Sequence, residues 1–429
     1  MTRQPEHSSA APTAPSPAAA SSRSQEGAAP AITRRQLLTQ VPATAAGLAA
    51  VAAVGAAVAA SGCSSSKGPQ LDVLEVPVSA VTTLESYKEV ANSSKLYALE
   101  EELSLPRGSQ LFGSGSKRAA VLVPGASSRP LSSVALLELS TMSMRTVLEE
   151  PVGQDEGFNF HELRCSDGLL LWVESNFLTD AWRVYSASIA EDGASVSEPV
   201  LLDEGDGEYD APEIAVAANQ AYWIVQPAEA GSKTQEDSLL KTNGGIAFTS
   251  HGRFNAGLST SGNTLVCMPR AEATGTVYYQ LTAIQGGGVI ASQVLPHGFR
   301  PNTFTYVDGR FSFGIPAGYD YGDGIANVGT YLSLGDGSWL RLTRTPVTPA
   351  GRVGGWLFCK SSSRTVFVDA AKKRYFTINP PSGSESYGDY AVRTGELDDT
   401  LYLYSTVKDT GSKKSSRKVV LRSVKLKSI

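Results

Sequence analysis

The sequence predicts an all-β fold of repeated four-stranded units, a β-propeller. A short apolar run that follows a turn recurs at an even spacing through most of the chain. Further segments of alternating polar and apolar residues follow each run, and a glycine turn precedes it. A period in the forties with four strands in each repeat is typical of a propeller blade.

The repeat is clearest at one marker position in each apolar run. Successive markers lie 44 to 51 residues apart, and they are Val121, Trp172, Trp223, Cys267, Phe313, Phe358 and Tyr404. The segments behind the fourth marker, 276–282 and 289–294, alternate as half-buried strands do. Seven copies predict a seven-bladed propeller of four-stranded antiparallel blades.

The last repeat needs a strand from elsewhere. After residues 418–424 the printed sequence has no further strand-like run. We therefore expect an N-terminal strand, from 71–76 or 96–103, to close the ring, because closure removes a free sheet edge. Residues 80–93, between these two segments, have the length of a short helix.

The repeats divide the chain into a body and an N-terminal region. We expect the propeller to occupy 71–429 and the Ser-rich residues 64–70 to form a flexible tether. The turns that open the blades contain Gly108, Gly157, Gly207, Gly252, Gly298, Gly351 and Gly388.

This pattern resembles the TolB-type and related bacterial propellers over about residues 96–429, in architecture alone. The chain has no Gly-His and Trp-Asp pairs of the WD type and no kelch Gly-Gly pattern. Residues 333–339 resemble a sialidase Asp-box, but Gly335 stands where that box has Asp. The resemblance therefore implies a fold and no activity.

The N-terminal region has the pattern of an export signal. Residues 1–32 are rich in Ala, Pro and Ser and are expected to be disordered. Arg34 and Arg35 then precede leucines and a mildly apolar stretch, so 33–63 resembles a twin-arginine signal peptide. The resemblance implies the twin-arginine translocase as a partner during export. A permanent transmembrane anchor is the competing interpretation, although so many alanines gain little from lipid.

The apolar stretch ends at Cys63 in a sequence that resembles a lipobox. Ser61 and Gly62 are small, as a lipoprotein signal peptidase requires, whereas Ala60 replaces the usual larger aliphatic residue. Lipid attachment at Cys63 would hold the protein on the extracytoplasmic face of a bacterial cell membrane, and two acyl chains suffice for stable anchoring. Cleavage after Ala57-Val58-Ala59 would instead release a soluble product.

Charge and cysteines exclude several functions. The net charge is −5, and residues 64–405 hold 25 Lys or Arg against 39 Asp or Glu. An acidic body repels phosphates, so nucleic acid is not an expected partner. Cys165, Cys267 and Cys359 form no C-x-x-C pair, and we expect Cys267 and Cys359, which lie in apolar runs, to be small buried hydrophobes. No cofactor motif is present.

The glycine turns present the candidate binding residues. In a propeller these turns lead from the outer strand of one blade to the inner strand of the next, at the mouth of the central channel. The predicted ligand-binding residues there are Asn159, Asp210, Asn255, Arg300, His251 and His297. The alternative interpretation is that Asn and Asp cap backbone amides beside a Gly turn and that the His residues brace it.

No catalytic or metal-ligating set emerges. The acidic stretches 203–210 and 320–324 raise the question of calcium, but neither fits an EF-hand loop. Glu156, Glu174, Asp210 and Glu213 could belong to a glycosidase pair, although no spacing selects two of them.

The sequence therefore predicts a surface-tethered binding or scaffold module for a protein, peptide or glycan. The alternative is an extracytoplasmic hydrolase or lyase.

Overall fold

The computed structural model describes residues 71–427, except 92, 114, 127, 230–231, 274, 319–323, 344–349, 362, 386 and 410–415. This part of the chain consists of β-strands and short 3-10 turns. The turns are Val78–Ala80, Leu84–Ser86, Ser93–Lys95 and Gln154–Glu156. In these residues no helix combines the length and the apolar character needed to cross a membrane. The predicted export signal 33–63 with Cys63, the stretch 1–32 and the predicted tether 64–70 lie outside the described residues.

The first described segment, 71–96, is called the N-terminal belt. Its strands are β1 (Val81–Thr83) and β2 (Lys88–Glu89), and β3 (Tyr97–Leu105) follows it. The predicted short helix over 80–93 is therefore wrong. The β-branched Val81-Thr82-Thr83 favours extended backbone, and it pairs with a sheet edge instead.

The next three sheets each take four strands in chain order, and every neighbouring pair is antiparallel. Sheet 1 contains β4 (Gln110–Phe112), β5 (Arg118–Pro124), β6 (Ser132–Glu138) and β7 (Ser143–Leu148). Sheet 2 contains β8 (Asn159–Cys165), β9 (Leu169–Asn176), β10 (Ala181–Ser188) and β11 (Val200–Gly205). Sheet 3 contains β12 (Ile214–Ala217), β13 (Gln220–Val225), β14 (Ser238–Thr242) and β15 (Gly245–Ser250).

The following three sheets keep this plan with additions. Sheet 4 contains β16 (Ser259–Ser261), β17 (Thr264–Cys267), β18 (Arg270–Ala273), β19 (Thr276–Gln285) and β20 (Gly288–Val294). Sheet 5 contains β21 (Thr303–Val307), β22 (Arg310–Ile315), β23 (Gly329–Ser333) and β24 (Trp339–Leu342). Sheet 6 contains β25 (Gly351–Val353), β26 (Trp356–Ser361), β27 (Arg364–Asp369) and β28 (Arg374–Ile378). In sheet 4, β19 joins β17 to β20, and β18 folds back on its first half.

Sheet 7 combines both ends of the described chain. The last strands are β29 (Tyr390–Ala391), β30 (Gly395–Leu397), β31 (Thr400–Asp409) and β32 (Ser416–Leu426). The order within the sheet is β29-β31-β32-β3, and β3 is antiparallel to β32. β30 pairs instead with β25 of sheet 6. The expected closure by an N-terminal strand is present, and β3 falls in the second of the two segments predicted for it.

The structure confirms an all-β propeller of antiparallel four-stranded blades. It corrects the prediction of seven blades, because the described chain forms six that follow the repeat. Six blades each arise from one contiguous stretch of chain, whereas sheet 7 is composite and its inner strand β29 has two residues. The physical reason is that the chain between β29 and β31 turns aside to pair with β25, so the inner edge of sheet 7 is shared with sheet 6.

The core lies between the sheets. Each apolar cluster draws its side chains from two successive sheets, as Phe160 and Trp172 of sheet 2 pack with Leu136 of sheet 1. Leu105 of β3 and Leu421 pack with sheet 1 in the same way. Burial of these faces from both sides makes the sheets mutually dependent.

The predicted role of Cys267 and Cys359 is confirmed, and Cys165 shares it. All three are buried thiols in the clusters between the sheets. Burial raises the pKa of each thiol to about 12, so these side chains stay neutral and behave as small hydrophobes.

The N-terminal belt follows the outer edges of sheets 4, 5 and 6 before it reaches sheet 7. Val73 forms a parallel bridge with Val294 at the edge of sheet 4. β1 then pairs in parallel with β24, and β2 pairs in parallel with β28. The belt thus covers three outer strands whose backbone groups would otherwise face solvent.

A pair of leucines in β3 tests the closure. Leu105 is 4% exposed and Leu99 is 53% exposed on the same strand. We expect Leu105→Ala to lower the free energy of unfolding by about 2–5 kcal/mol, because it leaves a cavity in the ring-closing core. The matched change Leu99→Ala should cost less than about 0.5 kcal/mol. Urea denaturation measures both, and equal effects would show that β3 adds little to the closure.

Candidate functional site

The ring has two faces with different kinds of connection. Each sheet begins at its inner strand, and its first two strands are antiparallel. The turn between those two strands therefore lies at the opposite end from the loop that leads in from the previous sheet. We call these ends the hairpin face and the loop face. The predicted binding residues belong to the loop face.

Asp210 and Asn255 of the loop face join neighbouring loops, whereas Asn159 stays within its own turn. The Asn159 amide donates to the Gly157 carbonyl oxygen at 3.2 Å, within one turn. Asp210 accepts hydrogen bonds from Arg253 and, at 3.3 Å, from Gln226. Asn255 donates to the carbonyl oxygen of Pro301 at 3.1 Å, linking the loops before sheets 4 and 5. These contacts brace the loops through side chains and carbonyl oxygens, and none of them is the predicted cap of a backbone amide.

Arg300 and the two histidines also contact residues outside the predicted set. Arg300 lies over the Tyr279 ring, with its Cζ 5.4 Å from the centroid. His251 is exposed, and its Nδ1 lies 3.2 Å from Asp237 Oδ1. His297 meets the Tyr278 ring edge-on at 5.8 Å. Whether this face binds a ligand stays a prediction.

The acidic stretch 203–210 is occupied by local contacts. Asp203 Oδ2 accepts hydrogen bonds from Trp223 Nε1 and from Lys241 Nζ, each at 2.7 Å. Asp206 caps the backbone amide of Glu208 at 3.0 Å. Within the described residues no group of three or more His, Cys, Asp or Glu side chains is placed to hold a metal. Residues 320–323 of the second acidic stretch lie outside the description.

The hairpin face carries a cavity of about 680 Å³ between the hairpins of sheets 4, 5 and 6. Asp308 forms an ion pair with Arg352 across sheets 5 and 6. The Asp308 backbone amide donates to Glu396 Oε1 at 2.8 Å, which brings in the β30 segment. The polar and aromatic side chains around the cavity include Asn263, Gln285, Tyr306, Asp308, Arg352 and Glu396.

Turn chemistry places these groups. Asp308 and Gly309 both adopt positive φ, +53° and +72°, as a two-residue hairpin requires. Gly354 and Gly355 do the same between β25 and β26. Short turns between rigid strands fix the position of Asp308 relative to Arg352 in the neighbouring sheet. The cavity wall is therefore preorganised by the fold.

A second cavity, of about 190 Å³, extends the hairpin face toward sheets 1, 2 and 3. Gly262 and Asn263 line both cavities. Here Arg393 donates to the carbonyl oxygen of Gly115 at 2.6 Å, joining sheet 7 to sheet 1. Ser166 of sheet 2 donates to the side-chain oxygen of Asn219 in sheet 3.

Asp167 is the ionised group of this second cavity. Partial burial opposes its ionisation, but hydrogen bonds from the Ser116 hydroxyl at 2.6 Å and the Lys117 amide at 2.7 Å outweigh that effect. The net result is a lowered pKa for Asp167. It therefore stays negative at neutral pH beside Arg393.

A third polar group lies on the inner strands of sheets 2 and 3. Glu162 and Arg164 of β8 form an ion pair, and Arg164 also lies over the Phe112 ring of sheet 1 at 5.2 Å. Burial raises the pKa of Glu162 to about 7, Arg164 opposes the rise, and nearby Glu213 adds to it. Glu162 can therefore hold or release a proton near neutral pH.

Sequence reasoning missed the hairpin face for an identifiable reason. The turn pairs Asp308-Gly309 and Gly354-Gly355 recur at the blade period and could have been found. Glu396 could not, because its position depends on the pairing of β30 with a different sheet. Glu174, one of the carboxylates considered for a glycosidase pair, is fully buried. It accepts hydrogen bonds from the backbone amides of Val152 and Gly153, which suits a structural role.

No protein-family model matches this chain, and no curated protein matches it. Solved structures with similar architecture include the polysaccharide lyase Uly1, at 10% identity and a TM-score of 0.46, covering 77% of this chain and 100% of that one. The β-propeller domain of the trilobed protease of Pyrococcus furiosus is 9% identical with a TM-score of 0.44, covering 76% and 93%. The soluble aldose sugar dehydrogenase of Escherichia coli is 9% identical with a TM-score of 0.35, covering 76% and 99%. Such values carry no inference about activity.

The raised pKa of Glu162 makes a prediction about pH. Its ordinary value is 4.5 and its folded value about 7, so folding favours the protonated form. Stability contributed by Glu162 is therefore present below about pH 4.5 and lost as the pH rises through 7. Relative to Glu162→Gln, the wild-type chain should lose on the order of 2–3 kcal/mol over that interval. Urea denaturation at pH 5 and pH 8 measures the difference, and a constant difference would contradict it.

Proposed function

We propose that this chain is a lipid-anchored, extracytoplasmic β-propeller that binds a polar ligand, a glycan or a peptide, at its hairpin face. The observation that carries this proposal is the cavity of about 680 Å³ between sheets 4, 5 and 6. Sites for small ligands are concave and combine a few fixed polar groups with aromatic surface.

The chemistry of the cavity supports a ligand rich in hydroxyl or amide groups. Asn263 and Gln285 offer both donors and acceptors, and Glu396 offers acceptors. Tyr306 adds a ring beside them. The ion pair of Asp308 with Arg352 holds the far wall without a net charge. These features suit sugars or peptide backbone better than a strongly charged ligand.

The location of the protein is proposed from its N-terminal residues. Arg34 and Arg35 support export by the twin-arginine translocase, and Cys63 supports attachment to the membrane through lipid. These residues lie outside the described structure. The body that follows would then work outside the cytoplasm.

One observation favours the alternative, a hydrolase or lyase. Glu162 lies on an inner strand beside Arg164 and has a pKa near neutrality, as a general acid or base requires. Glu162 does not line the cavity of the proposed site, and it is already paired with Arg164. Binding without turnover therefore remains the function that the geometry supports best.

Two cavity variants test the proposed site. Binding is first measured on glycan and peptide arrays and then by calorimetry on the best ligand. We expect Glu396→Gln and Tyr306→Phe to weaken binding about tenfold each, because each removes a charged or hydroxyl contact worth about 1.4 kcal/mol. If the wild-type protein releases shorter glycan or peptide products and the Glu162→Gln variant does not, the result favours the hydrolase or lyase alternative.

The matched control is His251→Ala on the loop face. His251 is largely exposed, so its loss should leave both the fold and the binding unchanged. Weaker binding in His251→Ala alone would place the site at the loop face and reject the proposed cavity. Weaker binding in the two cavity variants alone supports the cavity as the binding site.

A separate variant tests the anchor. We expect Cys63→Ala to abolish lipid labelling and to move the protein out of the membrane fraction after a detergent-free wash, since two acyl chains provide the attachment. Fractionation followed by immunoblotting measures this. A Cys63→Ala protein that stays in the membrane would mean that residues 36–60 are themselves the anchor.

A further inference from the structure

The interface between sheets 6 and 7 is polar near the loop face. Lys360 of β26, Asp389 before β29 and Arg422 of β32 meet there, and they are 4%, 1% and 7% exposed. Elsewhere in this interface the contacts are between apolar side chains such as Phe358, Leu403 and Val424. A buried group of three charged residues therefore interrupts an apolar seam.

The charges of this group are only partly matched. Arg422 Nη2 donates to Asp389 Oδ2 and, at 3.2 Å, to the carbonyl oxygen of Asn379. Lys360 Nζ lies 3.2 Å above the centroid of the Tyr390 ring. Two cations thus share one carboxylate, which leaves one positive charge without a counterion among the described residues. Buried charge of this kind is costly unless it is paired.

Hydrogen bonding shows the same surplus. In the described part of the chain, Lys360 Nζ and Arg422 Nε have no hydrogen-bond acceptor. Buried donors in native proteins are nearly always satisfied by protein, water or a bound group. Asp389 Oδ1 is also unpartnered there, so a water molecule can serve that atom. The two donors and the surplus charge call for an acceptor that is itself negative.

We propose that Lys360 and Arg422 hold a small monovalent anion, of the size of a halide or formate, between sheets 6 and 7. The three charged side chains are at most 7% exposed, so the proposal is restricted to a small anion. The free oxygen of Asp389 repels an anion, which places it on the side of Lys360 Nζ and Arg422 Nε. Burial lowers the pKa of Lys360 to about 8, so binding should weaken as the pH rises past that value.

Bromide titration of the full-length protein tests the site. Thermal unfolding is followed while sodium bromide replaces sodium gluconate at constant ionic strength and pH 7. We expect a saturable rise in Tm of about 2 °C or more, because a ligand that binds only the folded state stabilises it. Lys360→Met should abolish the rise. Lys241→Met is the matched control, since Lys241 already pairs with Asp203 at 2.7 Å, and it should keep the rise.

A second variant decides the matter if Lys360→Met fails to fold. Asp389→Asn removes the repelling carboxylate, so the bromide concentration at half effect should fall at least about fivefold. In crystals soaked in bromide, an anomalous peak should lie beside Lys360 Nζ. No bromide-specific rise in Tm, a rise retained in Lys360→Met, or an unchanged half-effect concentration in Asp389→Asn would each overturn the proposal.

Discussion

The pairing of β3 with β32 is the interaction on which the rest of the ring depends. It joins residues from both ends of the described chain, from Tyr97 with Leu426 to Leu105 with Val419. Each sheet buries its faces only because a neighbour stands on either side. Without β3, sheet 7 would end in the open edge of β32, and sheet 1 would lose the packing of Leu105. Local strand propensity favours the individual blades, but this long-range pairing closes them into a ring.

Closure also explains where polar residues can be tolerated. Along most of the seams apolar side chains such as Trp172 and Phe160 fill the space between sheets. Polar groups collect where strands end, in the hairpins that hold Asp308 and Arg352 and in the loops that hold Asp210 and Asn255. These polar groups make different contacts on the two faces. On the loop face the named contacts link one loop to the next, whereas on the hairpin face they surround open volume.

The sequence predicts the fold well because its signals are local and repeated. The marker spacing around Trp172 and Trp223 indicates blades of four strands, and the missing strand after 424 indicates closure by the N-terminal side. It predicts less well wherever a segment leaves the repeat. β1 and β2 pair in parallel with strands far along the chain. Because β1 has three residues and β2 has two, neither is long enough to show the alternation that distinguishes a strand from a short helix.

The candidate site follows the same division. Gly turns mark both ends of most blades, so the sequence does not distinguish the face with a cavity from the face with braced loops. Asn255 and Asp308 lie beside similar turns. Asn255 donates to the Pro301 carbonyl oxygen, whereas Asp308 lines the cavity. That difference arises from the distance between neighbouring sheets, which is a property of the assembled ring. The burial of Lys360 was likewise hidden, since a lysine between the apolar run 356–359 and the serines 361–363 has the pattern of an exposed strand end.

The N-terminal belt gives the protein a direction of mechanical weakness. Tension applied to the chain ahead of Leu71 would first break the single bridge of Val73 with Val294. It would next draw Val76 out of the apolar cluster between sheets 4 and 5, and then peel β1 from sheet 5 and β2 from sheet 6. Only then would the load reach β3. A tether at this end can thus lengthen in small steps while the ring stays shut.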